Sequence, residues 1–258
     1  MTYGICNLSV IPVRKEPKEQ SEMTTQLLFG EVFRILSTDK AWLQVQGEWD
    51  GYEGWIDQKQ YEPISDKEYN TIAGEQQSVA LDLAKSATRE ENCIPLLIGA
   101  TLPNYDGLNF YINNRKHVYN GQVVQPNHNG EMQHLLPKIA LKFLNAPYLW
   151  GGKNIFGIDC SGFTQLIFKI AGIRLQRDAY QQAAQGKQIS LIDETQPGDL
   201  AFFTNKKGNI THVGIIFSEG TIIHASGRVR KDKIDQQGIF NEEKGDYTHE
   251  LRLIRRMV

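Results

Sequence analysis

Cys160 stands between Gly157-Ile158-Asp159 and a run whose apolar residues, Phe163, Leu166, Ile167, Ile170 and Ala171, recur at helical steps. Asp159 is a good helix N-cap, so Cys160 falls in the first turn, where unpaired N–H groups and the helix dipole favour a thiolate. That setting suits a nucleophile. The bland alternative for a free cysteine is a small buried hydrophobe. Cys6 and Cys93, which lack any capping or glycine-rich context, read that way.

A nucleophilic cysteine needs a base. His117, His128, His134 and His249 lie in polar contexts and read as solvated, whereas His212 and His224 each interrupt a strongly apolar strand, Ile210 to Phe217 and Thr221 to Ser226. Ser218-Glu219-Gly220 between them suits a three-residue hairpin with glycine at the left-handed position. If 217 pairs with 221, then 214 faces 224 and 212 faces 226. His212 and His224 then become diagonal neighbours on one face, roughly 7–8 Å apart at the backbone. A loop of two or four residues would put them on opposite faces. Gly214 opposite His224 would leave room beside the ring.

The elements that must position these groups follow from periodicity. Met132, Leu135, Leu136, Ile139, Ala140, Phe143 and Leu144 predict a helix over 131–145 with Pro137 near its start, and a second helical run ends at Gly172 in the C′ role. Strands follow over 199–203, 211–217, 221–225 and 251–255. Helices first and an antiparallel sheet afterwards give an α+β domain over 131–258. Upstream, 31–36, 42–46 and 54–56 read as short strands parted by turns at 38–40 and 49–51, a small barrel within 1–64. Residues 65–130 read as a second, divergent barrel with strands near 93–98 and 109–112 and a hairpin turn at Asn120-Gly121. The tryptophans Trp42 and Trp55 read as barrel core.

Composition bounds the function. A chain of 258 residues, 40% hydrophobic and 22% charged, holds two or three globular units rather than a fibrous or disordered chain. The net charge of −2 gives no electrostatic reason for a nucleic-acid partner. No apolar run approaches the ~18 residues of a membrane helix. Residues 1–20 lack the unbroken apolar stretch of a signal peptide, so a cytoplasmic location is expected. Three cysteines with no C-x-x-C give neither a disulfide framework nor a zinc ribbon.

Two resemblances appear in these residues. Phe29-Gly30-Glu31, Trp42-Leu43-Gln44-Val45 and Asp50-Gly51-Tyr52-Glu53-Gly54-Trp55 resemble a bacterial SH3 domain. Tyr148-Leu149-Trp150-Gly151-Gly152, Asp159-Cys160-Ser161-Gly162-Phe163, Arg177-Asp178 with Gln181-Gln182, Gln196-Pro197-Gly198-Asp199-Leu200, His212-Val213-Gly214-Ile215 and His224-Ala225-Ser226 stand in the order and approximate spacing of NlpC-type cell-wall peptidases. Those enzymes are papain-like cysteine peptidases. With SH3-like units ahead, the chain looks like the γ-D-glutamyl-L-diamino acid endopeptidases that recycle murein peptides.

The resemblance implies that Cys160 is the nucleophile, His212 the general base and His224 the polar residue that orients it. It places Tyr148, with Asp159 and Ser161 around the nucleophile, at the oxyanion site, and Trp150 and Asp178 in the substrate pocket. It implies that an acidic and an aromatic residue of the first SH3-like domain, here Glu31 and Tyr52, recognise the free N-terminal L-Ala of the peptide. Arg177 reads either as a contact for a substrate carboxylate or as a partner of Asp178. No metal or cofactor is needed for this chemistry. A zinc site from His212, His224 and Cys160 is conceivable from ligand types alone, but the capping position of Cys160 and the match to a peptidase argue against it. Two other functions compete: an extracytoplasmic hydrolase that cuts intact stem peptides, and a non-catalytic peptide-binding module.

Overall fold

The computed structural model describes residues 2–126 and 133–257, which leaves His128 and the first two residues of the predicted 131–145 helix outside the described residues. Contacts divide the chain into two compact units, 1–126 with 150–155, and 127–149 with 156–258. Strands dominate both.

In the first unit a seven-stranded sheet over residues 2–64 runs in the order Met23–Leu28, Val10–Arg14, Glu53–Asp57, Trp42–Gly47, Val32–Asp39, Thr2–Ile5, Glu62–Ile64, all antiparallel neighbours. Alternation along the strands turns Leu43, Val45 and Ile56 inward against Ile11, Val13, Leu27 and Phe33. The same alternation turns Trp42 and Trp55 away from this cluster, where they are only half-buried. The expected tryptophan core is therefore built of aliphatic residues and Phe33. Gly54 opposite Val45 allows this closeness: a Cβ there would lie 2.5 Å from a Val13 methyl.

Residues 65–126 add a helix, Asp66–Gly74, that strand-based reading missed. Its start was legible: Ser65 accepts from the Glu68 N–H at 3.2 Å, acidic residues fill the first turn, and Tyr69 and Ile72 face the core. The strands Asn92–Leu97 and Asn109–Ile112 fall where expected, within a four-stranded sheet beside a three-stranded one. The hairpin turn is Asn113-Asn114, with φ of 50° and 59°, which joins Asn109–Ile112 to Arg115–Val118. Asn120-Gly121 instead links strands of different sheets. Cys6 is buried as expected, but Cys93 is exposed, because it sits on the outward face of its strand. His117, expected in solvent, is buried, stacked on Phe110 at 4.8 Å with Nδ1 3.0 Å from the Arg115 carbonyl. One core joins Ile5, Phe29, Val32 and Ile64 to Tyr69, Leu96, Leu102 and Phe110, so the segments before and after residue 65 pack as one body.

The second unit begins its described part with a short turn and the helix Leu136–Leu141, in which Pro137 occupies the first turn and removes an N–H that had no partner to lose. This helix is shorter than the predicted 131–145. The helix Cys160–Ile170 follows and is buried along its whole length. Gly172 at φ 82° ends it in the left-handed conformation, as expected for C′. A seven-stranded antiparallel sheet then runs in the order Lys187–Ile189, Asp246–Arg256, Leu200–Thr204, Ile210–Ser218, Thr221–Ser226, Arg228–Ile234, Gly238–Asn241. The long strand Asp246–Arg256 pairs with Leu200–Thr204 near one end and with Gly238–Asn241 near the other, so the sheet closes on itself. The helix Cys160–Ile170 packs on Ile210–Ser218 and Thr221–Ser226. Among the described residues no helix is long and apolar enough to cross a membrane.

Candidate active site

The hairpin that carries the histidines has the anticipated register by an unanticipated route. Gly214 faces His224, but the turn is the two residues Glu219-Gly220, with Ser218 paired to Thr221. A bulge between Ile216 and Ser218 supplies the extra residue that restores the parity a two-residue loop would have reversed. His212 and His224 thus share a face as diagonal neighbours, and His212 Nε2 lies 2.8 Å from His224 Nδ1. Gly214 provides the room: a Cβ there would lie 2.9 Å from the His224 Cβ and 2.7 Å from an Ile222 methyl.

The same diagonal is repeated on the other side of His224. Arg230 faces His224 across the next strand pair and Ile222 faces Asp232, so Asp232 stands on the other diagonal of His224. His224 Nε2 meets Asp232 Oδ2 at 2.8 Å. Asp232 is buried, and Arg230 holds it through Nη2 to Oδ1 at 2.9 Å and Nε to Oδ2 at 2.7 Å. Glu243 accepts from Arg230 Nη1 at 2.9 Å. Burial pushes the Asp232 carboxyl up, but its bonds to His224 and Arg230 outweigh that and hold it below the usual range. It is a carboxylate and can only accept. With neutral rings, His224 therefore donates from Nε2 and accepts at Nδ1, His212 donates from Nε2, and the lone pair of His212 is left on Nδ1.

Asp232 was absent from the sequence reading. Its strand reads Arg-Val-Arg-Lys-Asp-Lys-Ile, whose charges mask the buried positions Val229, Asp232 and Ile234. His249 was misplaced as solvated: its ring stacks on His212 at 4.2 Å and meets His224 edge-on at 5.5 Å. Burial, with His224 nearby, pushes it down to about 4. Burial likewise holds His212 well below its ordinary value, with His224 and His249 adding to the effect. Among the described residues the one group of three metal-capable side chains is His212, His224 and His249, whose ligand nitrogens lie within 4.8 Å of one another. His134 is exposed, as expected.

Cys160 is the first residue of its helix, and Asp159 caps it, accepting from the Gly162 N–H at 2.6 Å. The sulfur lies 4.0 Å from the Thr211 carbonyl oxygen and is influenced by the Val213 N–H, the backbone on either side of His212. The expected lowering of its pKa is reversed. Burial, with the Asp159 charge, pushes the thiol up to about 12 against the opposing pull of the Val213 and Ser161 N–H groups and Arg177.

Asp159 and Ser161 are both buried in a network with Arg177, whose Nη1 and Nη2 meet the Asp159 oxygens at 3.0 and 2.6 Å and whose Nη1 meets Ser161 Oγ at 2.9 Å. Arg177 thus pairs with Asp159. Asp178 is the N-cap of the short helix Ala179–Gln182, in a capping box with Gln181. Tyr148 is half-buried, and burial and the charges of Cys160 and Asp159 raise its pKa, so its hydroxyl keeps its proton.

The remaining predicted positions belong to the first unit. Glu31 is buried, accepts from the Leu28 N–H at 2.9 Å, and is held by Lys153 Nζ at 2.9 and 3.1 Å. Glu31, Tyr52 and Lys153 line one small pocket of about 20 Å³ with Glu48, Trp49 and Asp50. Trp150 is exposed and donates from Nε1 to Glu22 at 2.7 Å. Gly151, at φ 74°, lets its segment approach the Met23 carbonyl, which a Cβ would meet at 2.1 Å.

Residues 145–246 match the NlpC/P60 family, and residues 13–60 match the bacterial dipeptidyl-peptidase Sh3 domain. The chain is 32% identical over 246 residues to gamma-D-glutamyl-L-lysine dipeptidyl-peptidase of Bacillus subtilis, covering 87% of this chain and 77% of that one. It is 41% identical over 100 residues to the probable endopeptidase p60 of Listeria monocytogenes, covering 38% of this chain and 20% of that one. An NlpC/P60 family protein from Bacillus cereus shares the fold, with a TM-score of 0.83 over 99% of both chains at 19% identity. By the identity it shares with the B. subtilis enzyme over most of both sequences, this chain belongs to the NlpC/P60 family of peptidoglycan-related, cysteine-type peptidases, with an SH3-like domain at its N-terminal side.

Proposed function

We propose that this chain hydrolyses the γ-D-glutamyl–diamino acid bond of murein peptides that carry a free N-terminal L-Ala, releasing L-Ala-γ-D-Glu. The observation that carries the chemistry is the hydrogen-bonded series His212–His224–Asp232, which leaves the His212 Nδ1 lone pair free. In the proposed reaction that nitrogen takes the Cys160 thiol proton as sulfur bonds to the γ-carbonyl carbon. His212 then gives the proton to the departing amine, breaking the C–N bond and leaving a thioester. Water, deprotonated by the same nitrogen, attacks the thioester, and the proton returns to the sulfur. His224, itself held by Asp232, accepts from the imidazolium that forms twice in the cycle. The Cys160 N–H and the protonated Tyr148 hydroxyl are placed in the reading as oxyanion donors.

The substrate assignment draws on the name of the B. subtilis relative and on the SH3-like match. Lysine or diaminopimelate at the third position fits it equally. In this reading Asp178 and Trp150 shape the pocket, and Glu31 and Tyr52 receive the substrate ammonium, which must then share the Glu31 carboxylate with Lys153. The papain-like α+β class over 131–258, SH3-like units over 1–64 and 65–130, and action on released peptides in the cytoplasm belong to the same reading.

The competing reading, an extracytoplasmic enzyme that cuts intact stems, is separated by the substrate amine. L-Ala-γ-D-Glu-L-Lys and its N-acetylated form are incubated with the enzyme and followed by liquid chromatography and mass spectrometry. The proposal expects the free-amine peptide to be cut and the acetylated one spared. Equal cleavage of both would move the assignment to stem peptides.

A further inference from the structure

His249 takes no part in the reaction as proposed, yet it completes a cluster. It comes from the closing strand Asp246–Arg256, stacks on His212, and brings three ring nitrogens from three strands within 4.8 Å. The nitrogens on the far sides of two rings are already engaged. His224 Nε2 is on the Asp232 carboxylate at 2.8 Å, and His249 Nδ1 is on Thr248 Oγ1 at 2.9 Å. Imidazoles held from behind in this way, one by a carboxylate, are characteristic of metal ligands, because the outer partner fixes tautomer and ring direction.

We propose that His212, His224 and His249 form an inhibitory binding site for zinc, which takes His212 Nε2 and switches the peptidase off by leaving the imidazole proton on Nδ1, the nitrogen that must accept the thiol proton. The inference rests on the proposed role of His212. Zn–N bonds of about 2.0–2.1 Å in a tetrahedral site place ligand nitrogens about 3.3 Å apart. The 2.8 Å His212–His224 bond must therefore open by roughly half an ångström, the widest separation must close by about 1.5 Å, and the stacked His212 and His249 rings must turn out of their stack so that their in-plane lone pairs converge on the ion. Zinc replaces the proton between the two rings, and that proton moves to Nδ1 of His212. The donor set is all imidazole, which suits zinc and copper and excludes magnesium and calcium, whose ligands are oxygen. Three protein ligands leave a fourth position for water.

The test uses the full chain stripped with chelator, and reads zinc binding by calorimetry separately from peptide hydrolysis. One zinc per chain is expected, with reversible loss of hydrolysis on zinc addition and none with magnesium at the same concentration. Cys160→Ala should bind zinc with the same stoichiometry and similar affinity, which excludes the thiol as the ligand. His249→Phe, which keeps a ring on His212, should retain hydrolysis but bind zinc at least about tenfold more weakly. His249→Gln should show the same weakening if the phenylalanine variant fails to fold. Absence of zinc binding, loss of binding in Cys160→Ala, or equal binding by the wild type and the foldable His249 variant would each overturn the site. Because binding is read without turnover, failure of the peptidase reading and failure of the zinc site give different results.

Discussion

Asp232→Asn isolates the tautomer argument. The carboxylate presently serves two donors, His224 Nε2 at 2.8 Å and Arg230 Nη2 at 2.9 Å, and Arg230 Nε adds an ion-pair contact at 2.7 Å. An asparagine has one acceptor oxygen. If that oxygen stays with Arg230, the amide N–H₂ faces His224 and obliges Nε2 to accept, which moves the His224 proton to Nδ1. His224 then donates to His212 Nε2, and a neutral His212 carries its proton on Nδ1, the atom that must take the thiol proton. Removing the carboxylate that touches the catalytic base itself costs on the order of 10⁴-fold in a Ser-His-Asp triad. Here the carboxylate acts through one further ring, so kcat should fall on the order of 10²–10³-fold, about 3–4 kcal/mol of transition-state stabilisation. KM should stay within about threefold, because no group that binds the peptide has changed. Stability should fall by only about 1–2 kcal/mol, since Arg230 keeps Glu243 at 2.9 Å. The assay is hydrolysis of the tripeptide across pH, with thermal unfolding and imidazole ¹⁵N shifts on the same samples. In the wild type His212 Nδ1 should report an unprotonated nitrogen, and in the variant a protonated one. A folded Asp232→Asn with kcat within about threefold of wild type would refute the reasoning.

Other expected outcomes test other parts. Gly214→Ala places a methyl 2.9 Å from the His224 Cβ and should cost about 1–3 kcal/mol in urea unfolding, with at least a tenfold loss of hydrolysis as His224 shifts. Arg177→Leu leaves the Asp159 carboxylate buried without its guanidinium and should destabilise by about 3–5 kcal/mol; a loss below about 1 kcal/mol would show that the pair is dispensable. Burial holds the folded-state pKa of His117 below its unfolded value of 6.5, so its contribution to stability is present above pH 6.5 and is lost as pH falls, when the unfolded chain takes up the proton. His117→Phe should therefore flatten the decline in melting temperature between pH 7 and 5, and an unchanged decline would contradict the assignment.

The site was half legible in the sequence, and the reason is one of range. Asp159 and Cys160 were found because a cap and an apolar period are local signals, and His212 and His224 because a histidine inside an apolar strand is conspicuous. Their shared face depended on parity across a turn. The sequence supported that parity only through a three-residue loop, whereas the structure reaches it with a shorter loop and a bulge. Asp232 and His249 were invisible because charges stand on five of seven positions of one strand and five of eleven of the other, and what covers the two side chains comes from other strands, a long-range event. The Cys160 thiol went the wrong way for a similar reason: the helix N-terminus is written in the sequence, but the burial and the Asp159 charge that outweigh it are tertiary. In the first unit, the inward turn of Leu43, Val45 and Ile56 followed from alternation, whereas the aromatic bulk of Trp42 and Trp55 misdirected the core assignment.

The central claim is that Cys160 is the nucleophile of a γ-D-glutamyl peptidase, and a covalent intermediate tests it most directly. L-Ala-γ-D-Glu-L-Lys is mixed with enzyme, quenched in acid within milliseconds to seconds, and the intact protein and its peptides are weighed by mass spectrometry. The account predicts an L-Ala-γ-D-Glu adduct on the peptide that contains Cys160, released as free dipeptide on longer incubation, and neither adduct nor dipeptide with Cys160→Ala. Dipeptide release by folded Cys160→Ala at the wild-type rate would contradict it.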